Sequence, residues 1–294
     1  MDRFFTPWLP AAPASYLFTN TNLIDTAQGE VRRNVSVLIG GGLIISTGAE
    51  VPQVPEDVIK IDLEGKYLCS GLIDAHVHVT ATPGEKDLQA LHTVPEHTVI
   101  YRTTYVYRDI LSRGFTTVRD CGGANLSMKD AIREGVVPGP RLYIAGHALS
   151  QTGGHGDMRT SHQHQSTSCG CGNVGGLARI CDGVSACLHA TRDELRRGAD
   201  FIKIMGSGGM ISPTDTIEAV QFTPEEVRAI TSVTSAAGTY ATSHAYTPKA
   251  IRSAIENGVM GIEHGNLIDQ PTAKLMAEKG VYLTPDSSCL RHDG

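Results

Sequence analysis

The pattern of apolar and polar residues differs between the N-terminal part of the chain and the rest. From Tyr16 to Tyr67, short apolar stretches alternate with turn residues, and Gly40 to Gly42 mark one of the turns. This pattern predicts a small antiparallel β unit over residues 1–67. In the rest of the chain, strand-like apolar runs alternate with longer amphipathic stretches. That alternation predicts βα units and a parallel sheet over residues 68–294.

A glycine precedes most of the predicted parallel strands. Gly198 and Gly258 each follow a helix-like pattern and stand just before an apolar run. A glycine in that position fits the left-handed turn that ends a helix. The predicted strands are Leu72 to Val79, Phe115 to Asp120, Arg141 to His147, Phe201 to Met205, Tyr240 to His244, Val259 to His264 and Val281 to Pro285. A closed (β/α)8 TIM barrel needs one strand more, so the predicted fold class is an α/β barrel of this kind that lacks strand eight.

Charge and composition narrow the classes of function. The chain has 25 Lys and Arg against 31 Asp and Glu, a formal net charge of −6, and no basic cluster. This excludes nucleic acid and anionic membrane surfaces as expected partners. No apolar run approaches the ~20 residues that span a bilayer, and Met1 to Ser15 lack the apolar core of a secretory signal. With seven cysteines, an odd number, we expect a cytoplasmic protein with reduced thiols.

Histidines stand at the ends of several predicted strands. In a parallel barrel, the carboxyl ends of the strands surround one shared mouth, where the chemistry takes place. His76 and His78 end the first strand, and their spacing places both imidazoles on one side of it. His244 and His264 end two later strands, so the four rings predict a metal site. For His147, which ends the third strand, a metal ligand and a hydrogen-bonded rim residue both remain open.

Lys203 is the most unusual residue of the predicted barrel. It lies between Ile202 and Ile204, in a strand that should be buried on both faces. A buried ammonium group without a partner is strongly disfavoured. Lys203 therefore either belongs to the metal site or forms a salt bridge across the barrel, for example to Asp120.

Four segments resemble the metal-dependent amidohydrolase superfamily. They are Gly71 to His78, Phe201 to Ile204, Ser243 to Tyr246 and Ile262 to Gly265. Within the superfamily, Gln151 to Asp157 is similar to the branch of Xaa-Pro dipeptidases and ochratoxin-hydrolysing amidases. Imidazolonepropionases are a near relative, but they use one metal and lack the lysine. The resemblance covers nearly the whole chain and implies that residues 1–67 are half of a composite β-sandwich beside the barrel.

The resemblance also implies a binuclear site with two divalent ions, zinc being the expected metal. His76 and His78 would bind one ion, and His244 and His264 the other. Lys203, carboxylated by carbon dioxide, would bridge them, because a carbamate replaces a costly buried cation with an anionic oxygen donor. A hydroxide held by the metals would be the nucleophile in the hydrolysis of a carbon–nitrogen bond.

Substrate contacts are implied for two further residues. By resemblance, His155 would lie near the scissile carbonyl and Tyr246 near the terminal carboxylate of the substrate. The expected substrate is a small molecule or dipeptide whose amide bond lies next to a carboxylate-bearing residue, and the protein is compatible with a homo-oligomer.

The sequence departs from the family pattern near its end. Family members carry an aspartate at the end of strand eight, and neither Asp286 nor Asp293 stands in that position. We therefore expect a C-terminally truncated member that is weakly active or inactive. The alternatives are a non-catalytic metal-binding relative and a hydrolytic deaminase, although deaminases typically lack the bridging lysine.

The long segment from Ser150 to Leu188 offers a second candidate metal site. It contains four cysteines, namely Cys169, Cys171, Cys181 and Cys187. Their spacing lacks the paired C-x2-C of strong zinc motifs, so ordinary thiols or a single disulfide are expected instead of a zinc site. The glycines from Gly206 to Gly209 are expected to form a turn that faces the substrate, because no nucleotide-binding pattern accompanies them.

Overall fold

The computed structural model describes residues 7–8, 14–51, 53–85, 90, 94–162 and 176–285. The chain forms two compact units. Unit 1 comprises Met1–Leu72 with Glu134–Val136, and unit 2 comprises Ile73–Arg133 with Val137–Gly294.

Unit 1 is built on one five-stranded sheet. Its strands are β1 (Tyr16–Asp25), β2 (Glu30–Gly40), β3 (Leu43–Gly48), β4 (Ile59–Asp62) and β5 (Tyr67–Leu68). The first three form an antiparallel meander, and the turn between β2 and β3 is a two-residue loop in which Gly41 and Gly42 have φ values of +58° and +79°. Positive φ at both positions gives the turn a twist that matches the flanking strands.

The sheet of unit 1 is mixed, not wholly antiparallel as predicted. Strands β4 and β5 both pair with β1 in parallel. The physical reason is that β3 and β4 lie at opposite edges of the strand order β3-β2-β1-β4, so they are not joined as a hairpin. A sequence of alternating short strands does not distinguish this connection from a hairpin.

Unit 2 alternates strands with helices. Its strands are β6 (Leu72–Val77), β7 (Phe115–Asp120), β8 (Arg141–Ile144), β9 (Ala148–Ser150), β10 (Ala178–Ile180), β11 (Ile202–Met205), β12 (Ala241–Ala245), β13 (Gly261–His264) and β14 (Tyr282–Thr284). Its helices are α1 (Glu96–Ser112), α2 (Leu126–Arg133), α3 (Val184–Arg196), α4 (Pro224–Ala236), α5 (Pro248–Glu256) and α6 (Gln270–Lys279). The predicted α/β class with parallel strands is confirmed.

The strands of unit 2 form two sheets that are linked through their backbones. One has the order β6-β7-β8 and the other β10-β9-β11-β12-β13-β14, and every pairing in the second is parallel. The backbone N–H of Asp200, just before β11, donates to the carbonyl of Ile144 at the end of β8 at 2.7 Å. The seven predicted strands correspond to β6, β7, β8, β11, β12, β13 and β14. The three-residue strands β9 and β10 were not predicted: β9 follows directly after the predicted third strand, and β10 lies in the long segment from Ser150 to Leu188.

The core of unit 2 explains why its strands consist of apolar runs. Every residue of β11, β12 and β13 is buried. Ile204 of β11 and Ile262 of β13 belong to one apolar cluster with Ile230 of α4 and Ile251 of α5. A strand packed on both faces has no exposed side to occupy with polar residues, so each polar residue within it needs a specific explanation. Among the described residues, no helix is both long and apolar enough to cross a membrane.

Helix α4 provides a stability prediction. Its N-terminus is a capping box, in which Thr223 Oγ1 accepts from the backbone N–H of Glu226 and Glu226 Oε2 accepts from the backbone N–H of Thr223. We expect Thr223→Ala to lower the free energy of unfolding by about 1 kcal/mol in a urea titration. Thr223→Ser keeps the hydroxyl and is the matched control. Equal stability of the two variants would show that the cap does not contribute.

Candidate metal centre

The four histidines predicted as metal ligands lie together in unit 2. The ring centroids are 5.3 Å apart for His76 and His78, 4.7 Å for His76 and His264, and 4.6 Å for His244 and His264. Parallel pairing produces this arrangement, because the register that aligns Ala245 with His264 brings the ends of β12 and β13 together. His76 lies on β6 and His78 follows directly after that strand.

Hydrogen bonds fix the positions of the ring protons of His76 and His78, the first pair of histidines. His76 Nδ1 lies 2.9 Å from Glu263 Oε2, and His78 Nδ1 lies 2.9 Å from the carbonyl oxygen of Gly122. A carbonyl oxygen and an ionised carboxylate can only accept, so both Nδ1 atoms carry the proton and both Nε2 atoms keep a lone pair. Histidines that bind metal through one ring nitrogen usually donate from the other to such acceptors.

In the second pair of histidines, His244 and His264, one imidazole nitrogen of His244 has no hydrogen-bond partner among the described residues. This atom, Nε2, is buried. Buried polar atoms are nearly always hydrogen-bonded or ligated, so this atom needs an explanation. A metal ion would satisfy it. The donor set and the proton positions of His76 and His78 therefore fit divalent metal binding.

Lys203 is 1% exposed within β11. In the part of the chain that the structure describes, no carboxylate forms an ion pair with it. The salt bridge to Asp120 that the sequence left open is not formed. Asp120 instead accepts backbone N–H groups from Val79, Gly122 and Ala124 at 2.8 to 3.0 Å. Lys203 therefore remains a buried amine beside the histidines, close enough for its charge to lower the pKa of His76, His78 and His244.

Burial keeps the histidines neutral. It lowers the pKa of His78 to about 3, with further contributions from the charges of His76 and Lys203. Burial likewise holds the pKa of His244 well below its usual value and lowers that of His155 to about 4. A neutral imidazole is the form that binds metal, so His78 and His244 are in the form that binds metal at neutral pH.

Glu263 contacts His76, and Arg119 contacts Glu263. Neither residue was predicted as part of the site. Burial opposes ionisation of Glu263, but the hydrogen bond from His76 and the charges of Lys203 and Arg119 bring its pKa down to about 2. Its Oε1 accepts from Arg119 Nη2 and from Thr242 Oγ1, each at 2.5 Å. Arg119 also donates to the hydroxyl of Tyr282 at 2.6 Å. The sequence did contain a signal for Glu263, because a carboxylate in a strand buried on both faces is as unusual as the amine of Lys203.

The described side chains whose ligand atoms lie within 4.8 Å of one another form a different set of three, namely His76, Cys121 and Glu263. Its chemistry is less suitable for a metal. Burial raises the pKa of the Cys121 thiol to about 12, and the Glu263 carboxylate already accepts from other side chains. The centre formed by the four histidines and Lys203 has the better set of donors.

The two predicted substrate contacts lie against the second pair of histidines. His155 stacks on His244 with ring centroids 4.2 Å apart, and Tyr246 meets His244 edge-on at 4.8 Å and stacks on His264 at 5.1 Å. Both residues therefore border the candidate metal centre.

His264 has an unusual backbone. Its φ is +71°, and that of the following Gly265 is +63°. Residues other than glycine seldom adopt positive φ, because the Cβ atom then crowds the following carbonyl oxygen. The turn after β13 is therefore strained at the residue that carries the imidazole.

His147 has a structural environment that differs from those of the other histidines. Its Nδ1 lies 3.3 Å from Glu194 Oε1, and its backbone N–H donates to Glu194 Oε2 at 3.1 Å. Glu194 is buried and also accepts from Arg179 at 3.3 Å. Of the two readings left open by the sequence, the structure favours a hydrogen-bonded rim residue.

Several residues singled out in the sequence lie outside the described part of the chain. They are Cys169, Cys171, Asp286 and Asp293. Cys181 and Cys187 are described as buried free thiols, with sulfur atoms 3.8 Å apart.

This α/β fold and its histidine centre define the class of protein. Residues 67–293 match the amidohydrolase family, and the chain belongs to that family. The predicted family and branch are confirmed by its relatives. Ochratoxinase from Aspergillus niger is 30% identical over 286 residues, which cover 91% of this chain and 58% of the ochratoxinase.

Two solved structures support the same branch. A prolidase complexed with N-methylphosphonate-L-proline has a TM-score of 0.88 and 41% identity, covering 92% of this chain and 66% of that protein. A Xaa-Pro dipeptidase with bound methionine has a TM-score of 0.79 and 29% identity, with the same two coverages. The chain thus spans less than two thirds of the length of each of these relatives.

Proposed function

We propose that this protein is a metal-dependent hydrolase of carbon–nitrogen bonds, with an amide or dipeptide as its substrate. The observation that carries the proposal is the convergence of four imidazoles and one buried amine in unit 2. Membership of the amidohydrolase family supports the same reaction class. The two sheets of unit 2 would be arcs of one (β/α)8-type barrel, with the centre at the carboxyl ends of its strands.

Five residues would hold two divalent ions. His76 and His78 would bind one, His244 and His264 the other, and Lys203 would bridge them as a carbamate. In forming the carbamate, the Lys203 ammonium group loses two protons to solvent, one to free the amine and one as its nitrogen bonds to the carbon of carbon dioxide. A buried cation is thereby replaced with an anionic oxygen donor. Divalent ions in such a site lower the pKa of water and polarise carbonyl groups.

Side chains beside the centre would bind and orient the substrate. His155 and Tyr246 contact the rings of His244 and His264, so a substrate that reaches the centre meets both. Two relatives narrow the substrate class, since one is a prolidase with a proline phosphonate and the other an ochratoxinase. We therefore propose a small substrate in which the cleaved bond lies next to a carboxylate-bearing residue.

Metal analysis and a panel of dipeptides test the proposal together. We expect two divalent ions per chain by elemental analysis and hydrolysis of at least one Xaa-Pro dipeptide. Removal of the ions with a chelator should abolish hydrolysis, and zinc should restore it. Two bound ions without hydrolysis of any dipeptide or N-acyl amino acid would favour the non-catalytic reading. Absence of bound metal would overturn the proposal.

A further inference from the structure

A fully buried carboxylate lies between the end of β6 and the turn that follows β7. It belongs to Asp120, the last residue of β7. A carboxylate is costly to bury unless hydrogen-bond donors surround it. The donors at Asp120 are backbone N–H groups, at 2.8 Å from Val79 and at 3.0 Å from Gly122 and Ala124. Its side chain therefore ties together two backbone segments, and both of them contact or adjoin His78.

His78 is held from two sides by these hydrogen bonds. Val79 comes directly after His78, so the bond from its N–H to Asp120 Oδ2 anchors the backbone that carries the imidazole. Gly122 donates its N–H to Asp120 Oδ1, and its carbonyl oxygen lies 2.9 Å from Nδ1 of His78. One carboxylate thus fixes both the backbone of the histidine and the group that its ring contacts. We call the three hydrogen bonds to Asp120 the Asp120 bracket.

The turn after β7 fits closely against its surroundings. Gly122 and Gly123 have φ values of +156° and +113°, in the region that favours glycine. A Cβ atom at Gly122 would lie 2.6 Å from the carbonyl oxygen of Leu177, and one at Gly123 would collide with Thr80 Oγ1. Glycine at both positions lets the turn approach the segment after β6, and the Asp120 bracket supplies bonds that hold it there.

Substitutions of Asp120 would remove different parts of the bracket. An apolar side chain would leave all three buried N–H groups without their acceptor, which is unfavourable. Asparagine would keep one oxygen for Gly122 and Ala124, which share Oδ1, but it would present an NH2 group to the N–H of Val79. Alanine and asparagine therefore separate the loss of the whole bracket from the loss of one bond.

We propose that Asp120 is a positioning residue that holds His78 in the orientation in which it binds metal. It acts on the histidine through the backbone of Val79 and Gly122. Ordering a ligand in advance lowers the cost of binding the ion, and groups that orient metal ligands typically contribute a factor of about 10 to 100 in affinity. The role in metal binding rests on the proposed function, whereas the position of the His78 ring can be measured in the metal-free protein.

Chelator competition for zinc, measured on the folded protein, is the first test. We expect Asp120→Ala to weaken the binding of at least one ion by about 10- to 100-fold, and Asp120→Asn to weaken it less. Asp200→Ala is the matched control, because the Asp200 carboxylate also accepts a strand N–H, that of Ile144 at 2.8 Å, but pairs with Lys129 and does not hold the turn at His78. This control should lower stability in urea while leaving the zinc affinity nearly unchanged.

Amide hydrogen exchange in the metal-free protein, followed by NMR, measures the bracket itself. The N–H of Val79 should exchange faster in both variants of Asp120, whereas the two N–H groups that share Oδ1 should exchange faster only in Asp120→Ala. The ring carbon–proton signals of His78, identified by their loss in His78→Gln, should shift in Asp120→Ala and keep their positions in Asp200→Ala.

Three results would overturn the inference. They are an unchanged zinc affinity of Asp120→Ala, an equal loss in Asp120→Asn, which would point to charge instead of the backbone bonds, and an equal loss in Asp200→Ala, which would point to general destabilisation. If Asp120→Ala does not fold, Asp120→Asn decides, because faster exchange of Val79 without weaker zinc binding would contradict the role. If the unsubstituted protein binds no metal, the proposed function fails, while the His78 signals still decide whether Asp120 positions the ring.

Discussion

Replacing Lys203 with alanine is expected to remove one or both divalent ions and to lower kcat/KM by about 10³-fold or more. In the proposed site Lys203 would be the one side chain shared by both ions, so its loss would remove a ligand from each. Lewis-acid stabilisation by a bound metal contributes several kcal/mol, and each ~1.4 kcal/mol corresponds to a factor of ten in rate. Elemental analysis and steady-state kinetics on the same sample measure the two effects.

A volume-matched variant separates amine chemistry from packing. Lys203→Met fills the same space within β11 without an amine, so it should lose metal as Lys203→Ala does while keeping more of the stability. Metal-free protein reloaded with zinc in the absence of bicarbonate should bind less metal than protein reloaded in its presence, because the carbamate needs carbon dioxide. Two ions per chain in both variants would contradict the bridge.

Replacing Glu263 with alanine is expected to destabilise the protein by about 3–5 kcal/mol. Glu263 is fully buried, and its loss leaves Arg119 without a carboxylate partner in the interior. His76 would also lose the acceptor that fixes its tautomer, which should weaken metal binding by about 10- to 100-fold. Urea unfolding of the metal-free protein measures the first effect, and chelator competition for zinc measures the second.

Two further variants indicate how the Glu263 effect arises. Glu263→Gln keeps the volume and one acceptor, so its loss of stability should be smaller than that of Glu263→Ala. Combining Glu263→Ala with Arg119→Met removes both charges, and this double variant should be more stable than Glu263→Ala alone. A double variant that is less stable by the sum of two independent losses would show that the ion pair is not the cause.

The strands and four of the histidines could be predicted because their signals are local. A buried parallel strand leaves an apolar run bounded by a glycine, and a polar residue inside such a run is conspicuous. The burial of Lys203 was predicted by that reasoning alone. The same reasoning applied to Glu263 would have found a second buried charge, so this residue was missed although a signal was present.

Other features depend on contacts between distant parts of the chain. The contacts of His155 with Ser212 and of Ser212 with Asp215 join two segments that the sequence pattern does not pair. The role of His147 was likewise decided by Glu194, which lies on the following helix and whose buried carboxylate gives no periodic signal. Short strands such as β9 and β10 gain their pairing from neighbours in space, so their three residues could not identify them.

The backbone of His264 makes that position informative about selection. A left-handed conformation at a residue with a Cβ atom costs about 1–2 kcal/mol relative to an unstrained residue, and glycine would relieve it. A library selected only for folding should therefore accumulate His264→Gly, whereas a library selected for hydrolysis should retain the histidine. The frequency of glycine at this one position would thus report which of the two pressures, thermal stability or turnover, a population of variants has experienced.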